Sequence, residues 1–173
     1  YLQEIKTSSY HLDHIVSLAG NYDVGLIVSC DNQNKLIFEY MFESGFIRSV
    51  SLPKTEKVPL ISIFKSGKVV VILNLEEKSV IKVFAVNGNL INEMELNGFV
   101  DEIDKYYDFD QREILILANE PQKFVFVDLV SLKIVTVLQA PSPFLKFCAV
   151  KRRKTIVVSS KSVAQSLPFT LNQ

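Results

Sequence analysis

The 173-residue chain is 48% hydrophobic and 22% charged, and its 19 basic residues balance 19 acidic ones. A net charge of zero excludes the basic footprint of a nucleic-acid binder, so no nucleic-acid partner is expected. Two cysteines, no apolar run near the roughly 20 residues that span a bilayer, and no signal-peptide pattern point to a reducing, cytoplasmic setting rather than a secreted disulfide framework.

Short apolar-alternating runs rich in β-branched and aromatic residues follow one another along the whole chain, separated by Asn, Asp, Gly and Ser. Tyr1 to Ile5 reads as the last strand of a preceding unit, within residues 1–6. The first unit, 10–53, holds runs at His14–Ala19, Gly25–Ser29, Leu36–Tyr40 and Phe46–Leu52. The second, 58–97, opens at Leu60–Phe64, and its Asn87-Gly88 pair predicts a tight primed hairpin turn in which both residues take positive φ.

The third unit, 98–140, starts less regularly, because Phe99 to Tyr107 mixes acids with aromatics; it recovers at Glu113–Ala118, Lys123–Asp128 and Lys133–Leu138. The fourth, 143–173, opens at Phe144–Val150, continues at Thr155–Ser159 and offers Val163–Leu167 as a third strand. Helical turns at Met41–Arg48 and Asn97–Tyr107 are the less favoured reading, since both stretches sit where strands or loops are needed.

The pattern restarts roughly every 40 to 45 residues, which is the mark of an all-β propeller built from four-stranded blades. About three and a half four-stranded blades are present, fewer than most closed rings contain. The expectation is that further blades belong to a longer polypeptide, with a second chain as the other source. Phe38, Tyr40, Phe84, Phe124 and Phe126 recur in third strands and should fill the gaps between blades.

No catalytic or cofactor-binding constellation emerges. His11, Asp13 and His14 lack the further ligands of a zinc set, so His11 and His14 read as solvent contacts or ties to a turn. No Gly-x-Ser-x-Gly elbow accompanies the serines, and the glycines are scattered rather than gathered into a phosphate loop. Cys30 and Cys148 lie in apolar strand contexts, where a buried thiol is the ordinary outcome.

Charged and polar turns therefore supply the contact candidates: Asp31, Asn32 and Asn34; the acidic group Asp101, Glu102, Asp104, Asp108 and Asp110; and the basic tip Lys151, Arg152, Arg153 and Lys154. The acids suit a basic protein surface, and the tip suits an acidic protein face or anionic lipid headgroups. Two rival readings stay open. One is a propeller hydrolase using Asp101, Glu102 and Asp104; the other is a structural subunit whose open blade edges complete a partner's sheet.

Four stretches carry a family likeness: Leu26–Asn32, Val83–Leu90, Glu95–Gly98 and Val127–Val135. Together they resemble the WD-repeat propeller at the C-terminal end of BEACH-domain proteins of the neurobeachin type. The likeness runs from His11 to Ser160. The Gly-His signature is reduced to Tyr10-His11, and Phe38-Glu39, Phe84-Ala85 and Val127-Asp128 stand in place of Trp-Asp, so the bracing histidine-to-aspartate network is expected to be mostly lost. The resemblance implies part of a seven-bladed ring and a non-catalytic scaffold in vesicle trafficking. It also implies protein partners held through propeller loops, contact with the rest of its own polypeptide, and a place for the basic tip at intracellular membranes.

Overall fold

A computed structural model describes residues 10–42, 45–108, 110–119, 122–140, 146–150, 153–160 and 163–171. These residues form fifteen strands: β1 (Ile15–Asn21), β2 (Leu26–Asp31), β3 (Lys35–Tyr40), β4 (Phe46–Ser51), β5 (Leu60–Ile63), β6 (Val69–Asn74), β7 (Lys78–Phe84), β8 (Leu90–Asn97), β9 (Val100–Tyr107), β10 (Glu113–Asn119), β11 (Lys123–Asp128), β12 (Lys133–Gln139), β13 (Lys146–Val150), β14 (Thr155–Ser159) and β15 (Ala164–Pro168). They make three four-stranded sheets and one three-stranded sheet, each with its strands side by side in chain order. The segment proposed as a preceding strand, residues 1–6, lies outside the described residues, as does the start of the fourth unit at Phe144-Leu145.

The chain divides into two compact units, Tyr1–Glu76 with Val80–Glu93, and Glu77–Ser79 with Met94–Gln173. In the first unit alternate residues of β2 (Leu26, Val28, Cys30) and of β3 (Leu36, Phe38) bury against Val69, Val71 and Leu73 of β6 and Phe84 of β7. Phe38 meets Phe84 ring to ring at 5.8 Å. The second unit repeats the device: Ile114, Ile116, Phe124 and Phe126 enclose a core with Phe147, Ile156 and Val158. Each such side chain removed from water contributes about 1.5–3 kcal/mol.

Central strands are buried on both faces, so β6 and β10 read as unbroken apolar runs, whereas β4 and β8 face water and mix polar residues in. Of the third-strand aromatics, Phe38, Phe84, Phe124 and Phe126 are buried as expected, while Tyr40, at the end of β3, is half exposed. Cys148 also departs from expectation: Cys30 is buried but Cys148 on β13 is exposed. The uneven start of the third unit is a regular strand, β9.

Four hairpins share one turn geometry. The residue before the turn accepts at its carbonyl from the amide three residues on: Asp31 from Asn34 (3.0 Å), Phe64 from Gly67 (3.0 Å), Ala85 from Gly88 (2.9 Å) and Asp108 from Gln111 (3.1 Å). That third residue is left-handed in every case, with φ of 59° at Asn34, 84° at Gly67, 75° at Gly88 and 61° at Gln111. At Asn34, Gly67 and Gly88 it closes a three-residue loop built on a type I turn and a left-handed bulge residue. The primed two-residue turn expected at Asn87-Gly88 is therefore replaced, because Asn87 keeps negative φ and its Oδ1 accepts the Asn89 amide at 3.1 Å. A Cβ at Gly88 would also lie 3.0 Å from Arg48 Cδ.

Candidate functional site

Asp31 closes the turn between β2 and β3, and it is 1% exposed. Its Oδ1 accepts the amides of Gln33 (3.0 Å) and Lys35 (2.9 Å), and its Oδ2 faces His11 Nδ1 at 3.0 Å. With an acceptor at Nδ1, that nitrogen carries the hydrogen, and Nε2 accepts from the Ser29 hydroxyl at 2.6 Å. Burial raises the Asp31 pKa, but the His11 bond and the two amides outweigh it and hold the carboxyl below its ordinary range. The histidine-to-aspartate network expected to be mostly lost is thus complete in the first sheet.

Serine, histidine and aspartate in this order are also the parts of a nucleophilic triad. Here the side chains of His11 and Asp31 are 4% and 2% exposed and Ser29 is equally enclosed, so no substrate carbonyl can approach the hydroxyl. The three residues brace a turn. Beside them Asn32 donates its amide to the His14 carbonyl at 3.0 Å, and the Asn34 carbonyl accepts from Leu52 at 2.9 Å.

The acidic group is split between two sets of donors, those of β13 and those of the turn after β9. Glu102 and Asp104 project from β9 to β13, where Glu102 accepts from Lys146 Nζ (2.7 Å) and the Phe147 amide (3.3 Å), and Asp104 Oδ2 accepts from the Ala149 amide (2.7 Å). Their carboxylates occupy main-chain donors on the first strand of the adjacent sheet, and Asp101 on the same strand is exposed. Glu102 and Asp104, two of the three acids of the hydrolase reading, are thus engaged by donors of β13.

Asp108 is a second turn brace. It accepts from the amides of Asp110 (3.0 Å) and Arg112 (2.8 Å) and from Arg112 Nε (2.7 Å). Asp128 at the turn after β11 accepts from the Val130 amide and from the amide and hydroxyl of Ser131 at 2.8–3.0 Å. Burial raises both pKa values, yet these donors and the Arg112 charge carry them below the usual range. Asp110, Arg153 and Lys154 are exposed, while Lys151 and Arg152 lie outside the described residues. Among the described residues no group of three or more His, Cys, Asp or Glu could hold a metal ion.

A feature that polar-turn reasoning missed stands at the opposite end of the first sheet. Strands alternate in direction, so the β1–β2 and β3–β4 turns share that end. Tyr22 in one and Phe42 in the other meet edge to face, with centroids 5.0 Å apart and planes at 88°. They are 73% and 63% exposed, and Tyr40 and Phe46 beside the second turn are about half exposed.

The backbone holds these rings in place. The Met41 amide donates to the Gly25 carbonyl at 2.8 Å, Gly25 donates to Tyr22 at 3.1 Å, and Tyr40 donates to Gly45 at 2.9 Å. Gly25 has φ of 69°, and a Cβ there would stand 3.2 Å from the Phe42 ring. The sequence does carry a signal for this edge: two large aromatics sit in gaps where Asn, Asp, Gly and Ser are usual.

Solved structures of similar fold exist. The WD40 domain of Toxoplasma gondii coronin is similar with a TM-score of 0.70 and 10% identity, over 90% of this chain and 45% of that one. The sheets have the fold of WD40-like propeller blades. The complex of the fission yeast SREBP-SCAP binding domains is similar with a TM-score of 0.68 and 13% identity, over 99% of this chain and 53% of that one. The computationally designed Ika4 protein is similar at 0.65 and 14% identity, over 97% of this chain and 99% of that one. The chain spans less than half the length of the coronin domain. No family model and no curated protein matches its sequence.

Proposed function

We propose that this chain is a non-catalytic protein-interaction platform whose principal contact is the aromatic end of the first sheet. The observation that carries the reading is the Tyr22–Phe42 pair, two rings held by main-chain bonds and left open to solvent. Rigid exposed aromatics lose little entropy on binding and dominate the energetics of protein interfaces. The engaged state of Asp31, Glu102, Asp104 and Asp108 leaves them to the scaffold, and exposed Asp110, Arg153 and Lys154 serve as charged rim positions that steer encounter. A protein complex among the similar structures, that of the SREBP-SCAP binding domains, supports the same reading.

The test is affinity capture from the source cells, followed by reconstitution with the purified partner. Tyr22→Ser and Phe42→Ser are each expected to weaken the measured Kd by about tenfold or more, the cost of losing an interface aromatic, with melting unchanged. A purified partner that binds both variants as tightly as the parent chain overturns the proposal.

The resemblance of Leu26–Asn32, Val83–Leu90, Glu95–Gly98 and Val127–Val135 favours a finer reading, the C-terminal propeller segment of a BEACH-type trafficking scaffold in the cytoplasm at internal membranes. The full coding sequence upstream of Tyr1 tests it. A BEACH domain there supports the reading, and a complete transcript without one sinks it.

A further inference from the structure

We draw no further inference here: the strongest candidate, the apolar patch left exposed on β1 by Ile15 and Leu18, is an unpartnered strand surface, and nothing in the structure shows what covers it.

Discussion

His11 Nδ1 lies 3.0 Å from Asp31 Oδ2, and this bond ties the segment before β1 to the turn after β2. The two residues are twenty positions apart, and both side chains are almost wholly enclosed. His11→Ala would leave a buried carboxylate oxygen and the Ser29 hydroxyl without their partner. The expected cost is about 1–3 kcal/mol, read by urea denaturation. A loss below a few tenths of a kcal/mol would mean that the brace is dispensable.

Acid should dismantle three braces together. Asp31, Asp108 and Asp128 all titrate below their ordinary value of 3.8 in the folded chain, so the unfolded state binds more protons near that pH. Stability from these groups is complete above about pH 5 and drains away as pH falls through the unfolded carboxylate value of about 3.9 towards the lower native ones. The melting temperature should stay level from neutrality to about pH 5 and fall below about pH 4. Asp128→Asn should shallow that acid limb; a limb as steep as the parent's would remove Asp128 from the account.

Gly25 links backbone conformation to the aromatic surface. Gly25→Ala must place a Cβ at φ of 69° and 3.2 Å from the Phe42 ring. A destabilisation of about 1–2 kcal/mol is expected from the left-handed backbone. Displacement of Phe42 should also shift its ring resonances and weaken partner binding. A variant with parental stability and ring shifts would contradict this assignment.

The two thiols should separate cleanly by reactivity. Burial, and then the Asp31 charge, push Cys30 up to about 11, whereas Cys148 is exposed on β13. Iodoacetamide at pH 8 should modify Cys148 alone in the native chain and both cysteines in urea, as peptide mass spectrometry would show. Native labelling of Cys30 at the Cys148 rate would contradict the packing of β2.

Asp104 should protect one amide from a distance. Its Oδ2 accepts the Ala149 amide at 2.7 Å across two sheets of the second unit. Asp104→Ala should speed hydrogen exchange at Ala149 by about tenfold while leaving the central amides of β10 unchanged. Equal exchange in parent and variant would show that solvent or another group replaces the carboxylate.

The acids of β9 explain why part of the fold was hard to read in the chain itself. Alternation marks a strand when one face is greasy and the other wet, and β14 obeys that rule. In β9 the residues Glu102 and Asp104 are consumed by the amides of β13, a neighbour some 45 positions away. No local pattern could announce that pairing. Asp31 and Asp108 misled in a related way, since an acidic turn looks like a contact surface until its carboxylate is seen filled by amides two and four residues on.

What the amino-acid order determined by itself was the set of strands and their grouping, because β-branched runs, turn residues and the recurring interval are all properties of near neighbours. It also placed the buried aromatics Phe38, Phe84, Phe124 and Phe126, whose strand position is enough to send them inward. Only the tertiary structure decided which polar groups are spent and which are open. Whether His11 reaches Asp31, Glu102 reaches Phe147, or Tyr22 meets Phe42 in the open depends on chain segments brought together from 20 to 45 residues apart. A hydrogen bond or an exposed ring is a relation between surfaces, and those surfaces exist only once the sheets have stacked.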